Sequence, residues 1–258
     1  MQIFKTVESL QKHISELKKE GKKIGFVPTM GALHEGHLTL ILDALSENDI
    51  AVCSIFVNPT QFNDKEDLKK YPRPIEKDIQ MLESVGCQIL FLPDVEEIYP
   101  PNLPEVKFDL QDLDQTMEGA KRPGHFNGVV QVVHRLLDVV KPHSLYMGQK
   151  DFQQYSIIAL MLRQMNSDIK LVRVPIVRED DGLAMSSRNV RLTEEGREKA
   201  PVLHKILMEV EYYVSSQPLP TPQGALELAY ELFKKHGIDN IDYFEIVDGY
   251  TLKPLERF

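Results

Sequence analysis

The chain has 258 residues, 42% of them hydrophobic, and a formal net charge of −9 at pH 7. That length suffices for one large domain or two modest ones around a substantial core. The acidic balance excludes nucleic acid as the main partner, since such binding needs a dense field of Lys and Arg. The opening Met1-Gln2-Ile3-Phe4-Lys5 has no basic region followed by an apolar run, and no apolar stretch is long enough to span a bilayer. A cytoplasmic protein without membrane contact is therefore expected. Cys53 and Cys87 both sit in apolar runs and read as buried thiols of a reducing compartment.

Short apolar runs alternate with amphipathic segments. The periodicity predicts a helix over 7–19 closed at Gly21, a strand over 24–27, a helix over 38–46 and a strand over 50–57. A helix over 75–85 closed at Gly86 and a strand over 89–92 follow. Next come a helix over 129–140 with Pro142 beyond it, a strand over 144–147, a helix over 151–165 and a strand over 171–177. Such alternation is the pattern of an α/β fold, a parallel sheet with helices on both faces, whose ligands gather beyond the carboxyl ends of the strands. From Arg178 the pattern changes. The charged connector Arg178-Glu179-Asp180-Asp181-Gly182 leads to a helix capped by Thr193 with Glu194 and Glu195 behind it. A second helix is capped by Thr221-Pro222 and stopped at Gly237, and one more strand is expected over 243–247. The chain is thus expected to divide into a domain over 1–177 and a smaller C-terminal α+β domain over 178–258, joined by a hinge.

The first candidate site follows the strand at 24–27: Pro28-Thr29-Met30-Gly31-Ala32-Leu33-His34-Glu35-Gly36-His37. A strand, a glycine-bearing turn and a helix start put free N–H groups and the positive helix end at one spot, which suits a phosphate. His34 and His37 stand three apart and project from one face, and Gly36 lets a nucleotide approach the backbone. A zinc site would need further ligands, and the metalloprotease His-Glu-x-x-His is one residue longer than this pair. Gly148-Gln149-Lys150-Asp151 opens the helix after the strand at 144–147. Lys150 offers a point charge to a polyphosphate, while Asp151 suits either a ribose or the helix cap. Of Gln153 and Gln154, one is expected to face a ligand and the other to face outward. Met185-Ser186-Ser187-Arg188-Asn189 makes a compact anion-binding set, suited to a lid when paired with a nucleotide site. Asn58-Pro59-Thr60-Gln61-Phe62 ends the strand at 50–57 and offers neutral amides. These suit a hydroxy acid whose carboxylate must itself react, because an arginine clamp would weaken it as a nucleophile. Arg122, in Arg122-Pro123-Gly124-His125-Phe126-Asn127-Gly128, either meets a second carboxylate or holds its loop.

Taken together, these segments resemble the pantoate–β-alanine ligase family of the nucleotidylyltransferase superfamily, with five motifs in register over most of the chain. The resemblance implies a Rossmann-like first domain, a smaller second domain and a homodimer. It also implies a two-step reaction: the pantoate carboxylate attacks the ATP α-phosphate and releases pyrophosphate, and β-alanine then converts the pantoyl adenylate to pantothenate and AMP. Magnesium accompanies the ATP on its phosphates, with no protein ligand assigned. Carried over residue by residue, His37 takes the position of proton donor, and His34, Lys150, Ser186, Ser187 and Arg188 complete the catalytic set. The ATP site comprises Met30, Gly31, Ala32, Leu33, His34, Glu35, Gly36, His37, Gly148, Gln149, Lys150, Asp151, Val177 and Met185 to Arg188. Pantoate and β-alanine fall to Gln61, Gln154, Asn58 and Arg122. Family members run on past the segment at 243–247 into another strand, so a shortened second domain with an exposed sheet edge is expected. The rival readings are another nucleotidylyltransferase with the same histidine pair, a fragment of a class I aminoacyl-tRNA synthetase, and a nucleotide sensor without catalysis.

Overall fold

Successive side chains of a strand point to opposite faces, and in this protein both faces are apolar. The computed structural model describes every residue except Asp64 and Glu105, and only the backbone of Lys65. The strands are β1 (Gln2–Phe4), β2 (Ile24–Thr29), β3 (Ile50–Ile55), β4 (Ile89–Phe91), β5 (Ser144–Gly148) and β6 (Lys170–Val174). They pair in parallel, in the order β1-β4-β3-β2-β5-β6. The helices in chain order are α1 (Val7–Lys19), α2 (Glu35–Glu47), α3 (Lys65–Lys70), α4 (Ile75–Ser84), α5 (Val95–Ile98), α6 (Met117–Lys121), α7 (His125–Val140), α8 (Phe152–Gln164), α9 (Glu194–Lys199), α10 (Val202–Ser216) and α11 (Pro222–Lys235).

Ile24, Phe26, Val52, Ile89, Phe91, Leu145 and Met147 face a core shared with α1, α7 and α8. Their strand neighbours Val27, Ala51, Cys53, Leu90 and Tyr146 face a second core shared with α2 and α4. A period of two along the strands thus separates the two helical layers. Both thiols are free and buried. Among the described residues no helix is long and apolar enough to cross a membrane.

The order of strands reverses between β2 and β5: the chain runs outward from β2 through β3 to β4, then returns to lay β5 on the other side of β2. At such a switch point the loops leaving the carboxyl ends of two adjacent strands diverge and leave a crevice. The loops in question are the histidine turn after β2 and the segment Gly148 to Asp151 after β5.

Several boundaries differ from expectation. β6 stops at Val174 instead of 177, because Pro175 has no N–H to continue the ladder. β3 ends at Ile55, two residues before the expected limit. α7 begins at His125, four residues early, after Gly124 at φ 80°. The sequence His125-Phe126-Asn127-Gly128 looks like a loop, yet Gly128 packs so tightly on the Thr60 carbonyl that a Cβ would come within 2.6 Å of its oxygen. That close approach docks the first turn of α7 on the loop after β3. The helix starting at Thr193 breaks at Pro201 into α9 and α10. The strand expected over 243–247 does not form. The segment makes a bridge, Val247 to Pro254, because the backbone it pairs with among the described residues is the short stretch that follows the turn at 248–252.

Beyond residue 200, Ile206, Val210, Ala225, Ala229 and Phe233 form a separate small core between α10 and α11. Leu252 is an exception to that separation. It is fully buried in the large core beside the sheet.

Candidate active site

One cavity of about 270 Å³ opens at the switch point. The turn after β2 forms its floor. Gly31 and Ala32 both have positive φ, 78° and 50°. The carboxylate of Asp78 on α4, itself fully buried, accepts hydrogen bonds from Ala32 N (2.9 Å) and Leu33 N (2.8 Å). Gly31 N donates to Thr29 Oγ1 at 3.2 Å. The N–H groups of residues 31–33 are therefore consumed by the protein, contrary to the expectation that this turn offers them to a phosphate. Those of Glu35 and Gly36, at the start of α2, have no intrahelical acceptor.

His34 occupies the N-cap position of α2, and the His34 and His37 rings lie 4.1 Å apart between centroids. The His34 N–H donates to His37 Nδ1 at 3.3 Å, so a neutral His37 carries its proton on Nε2. Burial, with help from His34 and Lys150, pushes the His37 imidazole down to about 3. Burial and Lys150 likewise lower His34, against a smaller opposing pull from Asp151. Both rings are thus neutral at ordinary pH. His34 Nδ1 is a buried polar atom with no hydrogen-bond partner. Gly36 leaves this ring its room: a Cβ would sit 3.0 Å from the His34 ring, which would have to give by a few tenths of an ångström.

The loop after β3 supplies the amides. Asn58, 1% exposed, spends its whole side chain on the protein. Its Oδ1 accepts from Thr60 N (3.3 Å), Thr60 Oγ1 (3.0 Å) and Tyr99 Oη (3.0 Å). Its Nδ2 donates to Gly128 O (3.1 Å) and to Gln61 Oε1 (3.2 Å). With Oε1 occupied, Gln61 presents its NH₂ group, which reaches Met30 Sδ at 2.9 Å. Arg122 pairs with Glu118 (3.1 Å) and donates to Gln61 O (3.3 Å), so it holds its loop as well as lining the cavity.

After β5, Gly148 and Lys150 line the cavity, and a Cβ on Gly148 would meet no protein atom within 4 Å. Asp151 precedes α8, but its carboxylate makes no cap hydrogen bond and lies 3.6 Å from Lys150 Nζ instead. Gln154 lines the cavity, whereas Gln153 is buried rather than turned outward. Its Nε2 donates to Leu113 O (2.7 Å) and Thr116 O (2.9 Å), which pins the segment before α6. From the far side come Val177 and Met185 to Arg188, with Met185 N bonded to Val177 O at 3.0 Å. Arg188 reaches Asp67 on α3 at 3.1 Å, and Arg191 reaches the same carboxylate at 2.9 Å and Lys70 O at 3.0 Å.

Met30, His34, Gly36, His37, Asn58, Gln61, Arg122 and Gln154 all line this cavity, as do Gly148, Lys150, Asp151, Val177 and the run Met185 to Arg188. Gly31, Ala32, Leu33, Glu35 and Gln149 do not. The first three lie behind the turn against Asp78 and Ile55, or in the apolar core around α2. Reasoning from sequence missed His125, Tyr71 and Thr29, which also line it, and Asp78 and Tyr99, which brace it. His125 lay in a motif already singled out. Asp78 gave no signal, since an acid on an amphipathic helix reads as solvated.

A family model described as pantoate-beta-alanine ligase matches residues 2–257. The pantothenate synthetase of Bacteroides fragilis is 48% identical over the whole chain, which covers 90% of that relative. The crystal structure of pantothenate synthetase from Thermus thermophilus superposes with a TM-score of 0.92 at 41% identity, covering 100% of this chain and 91% of the other. That of pantoate-beta-alanine ligase from Francisella tularensis, complexed with beta-gamma ATP and beta-alanine, gives 0.78 at 39% identity, covering 92% and 85%.

Proposed function

Since the chain belongs to the pantoate–β-alanine ligase family and carries out that ATP-dependent ligation, we propose that the cavity at the switch point holds ATP and pantoate together and then admits β-alanine. The observation that carries this is the convergence of His34, His37 and Lys150 with Ser186 to Arg188 on one cavity that also displays the Gln61 and Gln154 amides.

Negative charge grows on the α-phosphate and on departing pyrophosphate as the pantoate carboxylate attacks, so preorganised donors there lower the barrier. His37 is suited to this because its Nε2 carries a proton without a positive charge on the ring. It donates equally well across the working pH range and does not hold the ground-state triphosphate as a cation would. Lys150 supplies the point charge, and Ser186 and Ser187 add hydroxyl donors. Arg188 has five N–H donors and spends one on Asp67, leaving the rest for phosphate oxygens. The Gln61 NH₂ and Gln154 hold pantoate through neutral hydrogen bonds that leave its carboxylate nucleophilic.

Asn58 acts through Gln61, whose amide it orients, and Arg122 acts through the same loop. Magnesium enters as a companion of the nucleotide, with no protein ligand assigned to it. Carried on the phosphates, it would neutralise part of their charge. Residues 178–258 serve as a lid that shields the mixed anhydride from water. The protein works in the cytoplasm as a homodimer, which analytical ultracentrifugation checks.

The test is pyrophosphate release from ATP on addition of pantoate, with wild type and His37→Ala. Loss of one such donor should slow the step by about 10²–10³-fold, or ~2.7–4 kcal/mol. Equal rates from the two proteins would remove His37 from the mechanism.

A further inference from the structure

His125 takes no part in the steps above, yet it lines the cavity and is 7% exposed. Its Nδ1 lies 2.8 Å from the backbone carbonyl of Gln61. A carbonyl oxygen can only accept, so Nδ1 carries the proton, and in a neutral ring Nε2 is left with a lone pair. The neutral form is favoured because the ring is buried: burial lowers its pKa most, the bond to the Gln61 carbonyl pulls the other way, Arg122 lowers it further, and Glu118 and Asp151 oppose this only in part. The Gln61 carbonyl also accepts from Arg122, so the contact is held from two sides.

An acceptor lone pair is a poor neighbour for phosphates and carboxylates, which have only lone pairs to offer. It therefore has no use at the phosphate end, where His34, His37 and Lys150 gather. It can take only a donor, and the donors next to the reacting acyl carbon are the pantoate hydroxyls and the amine of β-alanine. Its position favours the amine. His125 touches the main chain of Gln61, the residue whose amide faces the pantoate, so the imidazole stands at the acyl end of the cavity, where the carbon that the amine attacks must lie.

We propose that His125 is the proton acceptor of the second half-reaction, with Nε2 receiving the proton that the β-alanine nitrogen sheds as it bonds to the acyl carbon. This rests on the adenylate reading above. β-Alanine enters as an ammonium ion and gives its first proton to water. The free amine attacks the carbonyl carbon of pantoyl adenylate and the C–N bond forms. The bond from that carbon to the phosphate oxygen breaks, its electron pair leaving with AMP. The second proton of the nitrogen passes to Nε2 of His125 and from there to solvent. The products are pantothenate, AMP and two protons, and no further reactant is needed.

The experiment separates the two half-reactions in His125→Asn, whose side-chain amide keeps a donor near the Nδ1 position but offers no base. Pyrophosphate release with ATP and pantoate alone is measured first, and then the single-turnover decay of the enzyme-held adenylate on addition of β-alanine. General-base assistance contributes about 10²–10⁴-fold. The expected result is an aminolysis rate lowered by about 10² or more, with pyrophosphate release within about threefold of wild type.

Three results overturn the proposal: aminolysis unchanged; both half-reactions slowed together, which marks a structural role; or a raised KM for pantoate with normal aminolysis, which assigns the lone pair to a pantoate hydroxyl. If wild type itself releases no pyrophosphate without β-alanine, the adenylate reading has failed instead.

Discussion

Asp78 is the brace on which the histidine turn rests, and replacing it separates turn geometry from direct contact with substrate. Its buried carboxylate accepts two backbone N–H bonds, at 2.8 and 2.9 Å, from residues immediately before His34. Each hydrogen bond to a charged group contributes about 1.5–3 kcal/mol. Asp78→Asn keeps one carbonyl oxygen and turns an NH₂ toward the other N–H, so a loss of about 1.5–3 kcal/mol is predicted; Asp78→Ala forfeits both bonds and should lose about 3–6. Against a total of about 5–15 kcal/mol for a domain, the Asn variant still folds.

Burial raises the Asp78 carboxyl above its usual value, and the N–H bonds from Leu33 and Ala32 offset this only partly. A raised folded pKa means that this group's stabilising contribution is fully present below the unfolded pKa and fades as pH rises through the folded one. The gap between wild type and Asp78→Asn should accordingly be widest near pH 4 and narrower at neutrality. Because a displacement of about 1 Å can cost about 10²-fold in rate, pyrophosphate release should fall by one to two orders of magnitude in the Asn variant. Urea denaturation at several pH values and a pyrophosphate assay on the same preparations are the measurements. A normal denaturation midpoint in Asp78→Ala, or full activity in a destabilised variant, would refute the bracing role.

Gly36→Ala should leave the fold intact while shifting the His34 ring slightly, since the new methyl would sit 3.0 Å from it; a loss of pyrophosphate release well under the about 10²-fold of a displacement of about 1 Å is predicted, with little change in denaturation midpoint. His37, held at about 3, stays neutral in the folded protein over the assay range, so NMR titration should show no imidazole shift between pH 5 and 8. The sign for stability follows: the unfolded chain takes up this proton first, so wild type loses stability as pH falls from about 6.5 toward 3, and His37→Gln should show a shallower acid limb. Asp67→Asn releases Arg188 and Arg191, which tie the segment after Met185 to α3. Exposed pairs of this kind contribute about 0–1 kcal/mol, so the denaturation midpoint should hardly move while the KM for ATP changes; an unchanged KM would show that the tie does not position Arg188.

Much of the molecule was written locally. α1 runs over its expected residues because Thr6 caps it and Leu10 and Ile14 face the core. The apolar runs of β2 to β5, with no polar alternation, already read as strands covered by helices on both faces. The histidine turn, the Gln61 loop, Lys150 and the Ser186 to Arg188 run were legible because their chemistry depends on residue types at short spacing beside a strand end. The failures are of another kind. Short β1 has too few residues to show a period and exists because β4 offers it an edge. The first turn of α7 reads as a loop until Gly128 meets the Thr60 carbonyl, and the segment at 243–247 has strand composition but no long partner. Gln153 and Gln154 are indistinguishable in sequence, and only the direction of the first turn of α8 sends one to the cavity and buries the other.

The sequence by itself determined the alternation of elements, the two-faced core and the chemical inventory of the site, because each is set by neighbours within a few residues. Tertiary structure alone decided that α4 brings a carboxylate under the turn, that Tyr99 and Asn58 fix the Gln61 amide, and that a carbonyl fixes the tautomer of His125. Those contacts join residues separated by 30 or more positions of chain in most cases, as with Asp78 and Leu33 at 45 and His125 and Gln61 at 64. A hydrogen bond's direction and a buried group's charge depend on what lies opposite, and what lies opposite is set only when the chain has folded.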